Sequence, residues 1–476
     1  MKKLLLIGML AFAGLSANAK VVLPDIISDG MILQRNSETG LWGKAEPGAV
    51  VTIRPGWTEE EIVVKTDATG KWRTIVETPD AGGPYSIEFD DGEKVVVDNV
   101  LVGEVWLCSG QSNMEMPMKG FQTQPVEGAI EHIISARPET PIRICHVSRA
   151  ASDTPAEECK VRWMENTPEN VAGTSATAYF FAKKLQQILD IPIGIIVSSW
   201  GGTPIRAWLD KKTFSALSEE FAVQPESWAK STTLFNGMIL PLTSYNVRGF
   251  LWYQGEADIP YNKLYRQALP AYVSMMRGYW KDGNKPFYYV QLAPHWYGDP
   301  DATQAAEMRE AQMLCLDIIP NSGMATTLDI GDSGCIHPAR KEQVGNRLAY
   351  LALSGTYGMK GFEAEPPVYE SWSVENGRLL VRFKVGPQGV APRDHVLEGF
   401  EVAGEDHVFH PATAKVYGKD ARAVEVFCDE VENPVAVRYG FHNVAEATLY
   451  NCFGIPASPF RTDMDSYEPD GKGELK

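Results

Sequence analysis

The chain has 476 residues, of which 44 are Lys or Arg and 61 are Asp or Glu, so its formal net charge is −17. Hydrophobic residues make up 44% of the sequence and charged residues 22%, a globular composition that excludes disorder and collagen-like structure. At about 100 to 200 residues per domain, the length predicts two to four domains. The acidic balance argues against binding nucleic acid or anionic lipid through bulk charge.

Residues 1–19 have the pattern of a cleavable secretory signal. Two lysines precede an apolar run from Leu4 to Leu15, and the segment from Ser16 to Ala19 offers an A-x-A cleavage site. No other stretch is long and apolar enough to span a bilayer. We therefore expect a periplasmic or secreted protein without a membrane span.

Residues 20–100 are predicted to form an N-terminal β-sandwich-like domain. Short runs that alternate apolar and polar residues, such as 72–76 and 85–89, are separated by turn signals at 46–48 and 67–70. This pattern is typical of antiparallel strands with one buried face.

Residues 101–360 are predicted to form an α/β domain. Apolar strands are expected at 102–107, 142–147, 193–198, 248–253, 287–292 and 324–329. Between them lie helical patterns, among them the segments from Ala178 to Leu189 and from Val344 to Leu351, where apolar residues recur every three or four positions. This alternation predicts a doubly wound parallel sheet, whose ligands gather beyond the carboxyl ends of the strands.

Strand patterns return in residues 361–462, which predicts a C-terminal β-rich, sandwich-like domain. Residues 463–476 are polar, contain Pro and Gly, and lack apolar periodicity. They are predicted to be a flexible tail.

A serine follows the first strand of the α/β region in the setting of a nucleophile. Gly110 lies two positions before Ser112 and allows a tight turn or the close approach of a substrate. A hydroxyl there would stand on a rigid base beyond the carboxyl end of the strand. By position alone, a turn or helix-capping role is favoured over that of a nucleophile, because such serines are commoner.

The last predicted strand leads to a candidate base, His337. Pro338 suits the first position of a helix, so His337 would stand at a helix N-terminus, where the positive partial charge keeps an imidazole neutral. The alternative is a histidine that only caps the helix. If Ser112 and His337 meet at the shared edge of the sheet, they would form a nucleophile and its general base.

Two other strand ends carry hydrogen-bond donors. Gly201 and Gly202 offer backbone N–H groups after one strand, and Gln254 offers a side-chain amide after another. Donors of this kind can cradle a tetrahedral oxyanion. A Gly-Gly pair is more often only a turn.

Four short motifs together carry a family resemblance. They run from Gly110 to Met114, Ser199 to Thr203, Trp252 to Glu256, and Ile336 to Pro338. In this order and spacing they resemble the sialate O-acetylesterase family of SGNH hydrolases. The flanking β regions are also similar to the arrangement in that family.

The resemblance implies an SGNH-hydrolase-like fold and removal of O-acetyl esters from sugars through an acetyl-serine intermediate. It implies that Ser112 is the nucleophile and His337 the general base and acid. It places the oxyanion near the N–H of Ser112, the N–H of Gly201 or Gly202, and the amide of Gln254. No metal or cofactor is implied, and neither the seven cysteines nor the eight histidines form a metal-binding motif.

The third catalytic member is open. Many relatives have an aspartate three or two residues before the histidine, where this chain has Gly334 and Cys335. Asp332, five residues before His337, could curl back to the imidazole. Alternatively a backbone carbonyl orients the ring and leaves a Ser-His dyad; we favour Asp332 slightly.

Further residues are candidates for substrate contact. Arg206 could pair with a sugar carboxylate, although a surface salt bridge is the favoured alternative. Trp296 lies in an aromatic loop that could face a sugar ring, or it belongs to the core.

Gln111 and Asn113 flank Ser112 and are assigned to substrate binding. Glu256 could bond sugar hydroxyl groups or brace the oxyanion loop, and bracing is favoured.

The leading hypothesis is an exported carbohydrate O-acetylesterase with an O-acetylated sialic acid or its glycans as substrate. The first alternative is an esterase for acetylated xylan or another polysaccharide. An alternative of another class is a glycan-binding protein without activity. A lipase or peptidase is a third, and the absence of a G-x-S-x-G elbow weakens the lipase version.

Overall fold

The computed structural model describes residues 20–217, 229–375 and 378–463. The predicted signal segment at 1–19 lies outside the described residues, as does the predicted tail from residue 464 onward. Across the described ranges, no helix has the length and apolar character needed to cross a membrane.

The N-terminal region is built of strands, as its alternating pattern predicts. These strands are β1 (Ile32–Gln34), β2 (Glu38–Lys44), β3 (Val50–Pro55), β4 (Ile62–Lys65), β5 (Lys71–Glu77), β6 (Gly82–Asp90) and β7 (Lys94–Gly110). β2 and β5 form an antiparallel pair, whereas β3, β4 and β6 form an antiparallel sheet with the first half of β7. Alternate residues of β3 are buried, which is the reason for the period of two in the sequence.

β7 connects this region to the rest of the molecule. Its first half pairs with β1 and β6, and its second half enters the central sheet. The expected boundary between residues 100 and 101 therefore falls inside one continuous strand of 17 residues.

The central sheet is mostly parallel, in agreement with the predicted α/β class. Its further strands are β8 (Ile142–Val147), β9 (Val161–Glu165), β10 (Ile193–Ser199), β11 (Gly249–Tyr253), β12 (Phe287–Val290) and β13 (Ser322–Ala325). They lie in the order β13-β12-β11-β7-β10-β8-β9, in which β9 runs antiparallel to β8 and the other neighbours are parallel. All six predicted strands are present, although the last ends at Ala325 instead of residue 329.

Helices connect these strands. They include α1 (Ser112–Glu115), α2 (Ala129–Ile134), α3 (Pro168–Gly173), α4 (Ala176–Leu189), α5 (Lys211–Ala216), α6 (Asn262–Tyr279), α7 (Gln304–Leu314) and α8 (Lys341–Gly355). The two predicted helical segments lie in α4 and α8, which pack against each other. Short irregular helical turns cover Ile205–Trp208, Phe235–Ile239, Leu240–Leu242, Glu256–Tyr261 and Cys315–Asp317.

The C-terminal region is also built of strands. They are β14 (Val368–Glu375), β15 (Arg378–Lys384), β16 (Val390–Ala391), β17 (Phe400–Ala403), β18 (Phe409–Pro411), β19 (Thr413–Val416), β20 (Ala423–Phe427), β21 (Ala436–Tyr439), β22 (Tyr450–Asn451) and β23 (Phe460–Arg461). Two four-stranded antiparallel sheets, β14-β15-β20-β19 and β18-β17-β21-β23, share one hydrophobic core. Phe383 of the first sheet contacts Phe460 of the second, with ring centroids 5.7 Å apart.

Candidate active site

The carboxyl ends of β10, β7 and β11 lie side by side in the middle of the central sheet. After β7 the chain forms β8 and β9 on one side of this point, and after β10 it forms β11, β12 and β13 on the other side. The direction in which strands are added to the sheet therefore reverses here. Doubly wound sheets bind their ligands at such a reversal. Ser112, Gly201 and Gln254 follow these three strands directly.

Close backbone packing determines the turn that leads to Ser112. Gly110 has φ +141°, and a Cβ atom at this position would lie 2.2 Å from the carbonyl oxygen of Tyr253. Only glycine fits this contact between β7 and β11. Ser112 then opens α1, and a Cβ atom at Gly201 would lie 3.2 Å from the Cβ of Ser112, so the loop after β10 lies against the serine.

The structure brings the segments that contain Ser112 and His337 into contact. Asn113, which is fully buried, donates a hydrogen bond of 3.1 Å to the carbonyl oxygen of Ile336. The residue after the candidate nucleophile thus touches the residue before the candidate base. Within the described ranges the Ser112 hydroxyl makes no hydrogen bond, so it is not bonded to the imidazole.

His337 is held by Gln124. The Nδ1 atom of His337 lies 2.6 Å from Oε1 of Gln124, and the ring contacts Phe121 edge-on at a centroid distance of 5.1 Å. Since an amide oxygen only accepts, Nδ1 carries the proton and Nε2 keeps its lone pair. Sequence reasoning missed Gln124, because the segment around it carries no motif.

The imidazole is kept neutral, but for a different reason from the predicted one. α8 begins at Lys341, so the predicted helix start at Pro338 is wrong and His337 lies outside the helix. Burial is the main cause that lowers the pKa of His337 to about 4, and the positive charges of Lys341 and His295 lower it further.

Asp332 does not contact the imidazole. Its carboxylate accepts a hydrogen bond of 2.8 Å from the N–H of Gly334, and its carbonyl oxygen lies 3.1 Å from Nδ1 of His295. The prediction that Asp332 orients His337 is therefore wrong for this structure. A backbone carbonyl does not hold Nδ1 either, since the side chain of Gln124 occupies that place.

Two of the expected oxyanion donors are used elsewhere. The N–H of Gly201 donates to Oε2 of Glu115 at 2.9 Å. The amide nitrogen of Gln254 donates to Asp258 at 2.6 Å and to the carbonyl oxygen of Thr203 at 3.1 Å, which uses both of its hydrogens. In this structure both groups therefore already donate to acceptors of the protein, which the sequence did not predict.

The remaining expected donors are the backbone N–H groups of Ser112 and Gly202. In the parts of the chain that the structure describes, neither group has a hydrogen-bond acceptor. These two groups lie on the loops that follow β7 and β10, and they are the expected donors that no protein acceptor among the described residues uses.

Gln111 and Asn113, which were predicted to bind substrate, make hydrogen bonds within the protein in this structure. Gln111 is buried, and its Oε1 accepts hydrogen bonds from the N–H groups of Gly255 at 3.2 Å and Ala257 at 3.3 Å. Asn113 donates to Oε1 of Glu256 at 2.5 Å. Both amides thus fix the loop after β11 beneath Ser112.

Glu256 and Lys341 form a buried acid and base pair around Asn113. The Nζ of Lys341 donates to Oδ1 of Asn113 at 2.5 Å, and Glu256 accepts from the other end of that amide. Burial raises the pKa of Glu256 and lowers the pKa of Lys341 to about 7, while the Glu256 charge opposes the second shift. The bracing role favoured for Glu256 is the one seen. Sequence reasoning did not identify Lys341. A lysine in the first turn of a helix is electrostatically unfavourable, and this placement was the signal that could have identified it.

Arg206 and Trp296 occupy opposite kinds of environment. Arg206 is only 4% exposed, so the favoured surface salt bridge is wrong. Burial raises the pKa of Asp258 to about 6, and the Ile205 N–H, Gln254 and the charge of Arg206 oppose this rise. Trp296 is 53% exposed on the loop after β12, so it does not belong to the core.

The site therefore combines a hydroxyl, a neutral imidazole and unpaired backbone donors. This set supports acyl transfer. Among the described residues, no group of three or more His, Cys, Asp or Glu side chains is arranged to hold a metal ion.

Comparisons with known proteins point to the same chemistry. Residues 102–354 match the family model described as carbohydrate esterase, sialic acid-specific acetylesterase. Over 406 residues the chain is 30% identical to human sialate O-acetylesterase, covering 77% of each protein, and over 408 residues it is 28% identical to the mouse protein, covering 72% of this chain and 74% of that one. The fold is similar to the crystal structure of a carbohydrate acetylesterase from Xanthomonas citri, with a TM-score of 0.85, 34% identity, and coverage of 93% of this chain and all of that one.

Proposed function

The chain belongs to the sialic acid-specific acetylesterase family of carbohydrate esterases, and we propose that it removes O-acetyl groups from sialic acid with Ser112 as nucleophile and His337 as base. Membership makes the protein a carboxylic ester hydrolase that acts on carbohydrate O-acetyl groups. The observation that carries the assignment of residues is the contact between Asn113 and Ile336, which joins the serine and histidine segments.

In the first half-reaction, Nε2 of His337 takes the proton of the Ser112 hydroxyl while Oγ attacks the acetyl carbonyl carbon. The tetrahedral oxyanion accepts hydrogen bonds from the N–H groups of Ser112 and Gly202. When it collapses, the bond to the sugar oxygen breaks and that oxygen takes the proton from His337. Because catalytic hydrogen bonds often tighten only once substrate is bound, we place the Ser112–His337 bond in the complex.

In the second half-reaction, His337 takes a proton from water, and the resulting hydroxide attacks the acetyl-serine. Collapse of the second tetrahedral intermediate breaks the ester bond to Ser112 and returns the proton to its Oγ. The products are free enzyme in its starting protonation state and acetic acid, which ionises to acetate by giving a proton to the solvent.

The test is release of acetate by the wild type and by two variants. We expect Ser112→Ala and His337→Ala to lose at least about 10³-fold in kcat, because hydroxyl and base act as one unit. Ser135→Ala, at an exposed serine in the same region, is the control and should retain full activity. Full activity in Ser112→Ala would disprove the assignment.

Substrate choice is tested by comparing O-acetylated sialic acid with acetylated xylan and with a chromogenic acetate ester. Faster turnover of sialic acid supports the proposal, and faster turnover of xylan supports a polysaccharide esterase. No turnover of any ester, together with binding of glycan, would support a binding protein without activity.

We also propose that residues 1–19 direct export. Mass spectrometry of the protein secreted by its host should then give a mature chain that starts at Lys20. A mature chain that retains residue 1 would contradict this proposal.

A further inference from the structure

The loop of residues 117–127 forms a wall beside His337. The chain enters the loop through two backbone hydrogen bonds to the α3 region, from the N–H of Met118 to the carbonyl of Thr174 at 2.8 Å and from Lys119 to Ala172 at 3.0 Å. At its end, the N–H of Glu127 donates to the carbonyl of Ala339 at 2.9 Å. The 117–127 loop is therefore tied at both ends, and its second tie is to the segment that contains His337.

The turn inside this loop presents Gln124. Gly120 has φ +80°, and a Cβ atom there would lie 2.3 Å from the carbonyl oxygen of Gln124, so the loop closes tightly on itself. The N–H of Gln124 donates to the carbonyl of Phe121 at 3.0 Å. These contacts fix the backbone of Phe121 and Gln124, the two residues whose side chains contact His337.

The acidic side chains near His337 are bonded to other groups, and its Nδ1 atom has a neutral hydrogen-bond partner. The basic side chains whose positive charge lowers the pKa of the imidazole are Lys341 and, when protonated, His295. Glu256 lies beyond Lys341 and is bound to Asn113, and the Asp332 carboxylate is bound to Gly334. Among the described residues, the only hydrogen-bond partner of Nδ1 is the amide oxygen of Gln124.

We propose that Gln124 is the positioning residue of His337 and takes the place that a carboxylate holds in a Ser-His-Asp triad. This inference rests on the proposed roles of Ser112 and His337. Gln124 fixes the tautomer and the plane of the ring, so that Nε2 faces the serine. Being neutral, it does not stabilise the imidazolium as a carboxylate does. The base therefore stays unprotonated in more acidic solution.

The test compares pH profiles of kcat/KM for the full-length wild type, Gln124→Ala and Gln124→Glu with an acetate ester. We expect Gln124→Ala to lose about 10²-fold in kcat with little change in KM, because the base is no longer aligned. Gln124→Glu retains an acceptor and should recover most of the activity at neutral pH. Its acid limb should move upward by about one pH unit or more, since a carboxylate favours the imidazolium.

The control is Gln122→Ala, which removes an exposed amide from the same loop and should leave kcat and the profile unchanged. Circular dichroism of each variant shows whether it is folded. Wild-type kcat in folded Gln124→Ala, or an unmoved acid limb in Gln124→Glu, would overturn the inference. If Ser112→Ala is fully active, the proposed function fails; if it is inactive while Gln124→Ala is normal, only the positioning role fails.

Discussion

His337 lies half-buried beside the 117–127 loop, and this setting bears on how the proposed base responds to acid. Its pKa is lowered to about 4, chiefly by burial. As the proposed general base, His337 works only when unprotonated, so we expect the rate to fall as the pH drops through this value and not through the ordinary histidine pKa of about 6.5.

We therefore expect the acid limb of kcat/KM that belongs to His337 to be centred near pH 4, with a one-proton slope, and not near pH 6.5. The measurement is a pH-rate profile corrected for spontaneous ester hydrolysis. Circular dichroism at each pH separates loss of catalysis from acid unfolding. An acid limb centred near 6.5 in folded protein would show that the imidazole is not desolvated as the structure has it.

The sequence allowed the proposed nucleophile and base to be picked out, but not the residues that support them. Ser112 and His337 each follow a recognisable buried strand, and short motifs mark both. Gln124 lies in a loop without a motif, and its role depends on a contact 213 positions away along the chain. The use of the Gly201 N–H by Glu115 likewise depends on side-chain geometry that no local pattern encodes.

At the scale of elements, the contact between α4 and α8 holds the segment that leads from His337 against the sheet. Gly345 of α8 lies on α4, where a Cβ atom would be 2.5 Å from the Cβ of Phe180 and 2.8 Å from the carbonyl oxygen of Thr177. Both neighbours belong to a helix, so relief requires the two helices to move apart.

Gly345→Ala is expected to destabilise the protein by about 1–3 kcal/mol, because overpacking outweighs the better helix propensity of alanine. Gly278→Ala is the matched control. Gly278 lies in α6 with open space around it, so there alanine should stabilise by about 0.5–1 kcal/mol. Urea unfolding followed by circular dichroism gives both values, and a Gly345→Ala midpoint at or above that of the wild type would contradict the packing argument.

Element positions were predictable where burial is continuous and less so at the ends. The parallel strands are apolar on both faces, so their runs are plain in the sequence. The start of α8 was misplaced because Pro338 is a valid helix-start signal. In the fold, the Ala339 carbonyl instead accepts hydrogen bonds from Glu127 and from Lys341, so the helix begins later.

At the scale of the whole molecule, Glu104 joins three parts of the structure at the point where β7 passes between sheets. Its fully buried carboxylate accepts from Nε of Arg35 at 2.6 Å, from Nε of Arg248 at 2.6 Å and from the hydroxyl of Tyr357 at 3.1 Å. Arg35 follows β1, Arg248 precedes β11, and Tyr357 follows α8. Burial opposes ionisation, but the two arginines lower the pKa of Glu104 below its ordinary value.

This continuity explains why residues 20–100 cannot be separated from the central sheet by sequence texture alone. The change from alternating to continuously apolar residues occurs within β7, where one strand leaves a half-exposed sheet and enters a fully buried one. The change in the sequence pattern therefore marks an increase in burial along one strand, not a linker between two domains. The charge network at Glu104 lies at that change.

Glu104→Ala is expected to destabilise the protein by about 3 kcal/mol, the low end for a broken buried ion pair, because both arginines keep partial access to water. Two cations would then face each other across the junction of the sheets. Glu157→Ala is the control, since this carboxylate is 62% exposed beside Lys71 and should matter little. Thermal and urea unfolding of the two variants measure the difference, and equal midpoints would mean that Glu104 does not hold the N-terminal strands to the central sheet.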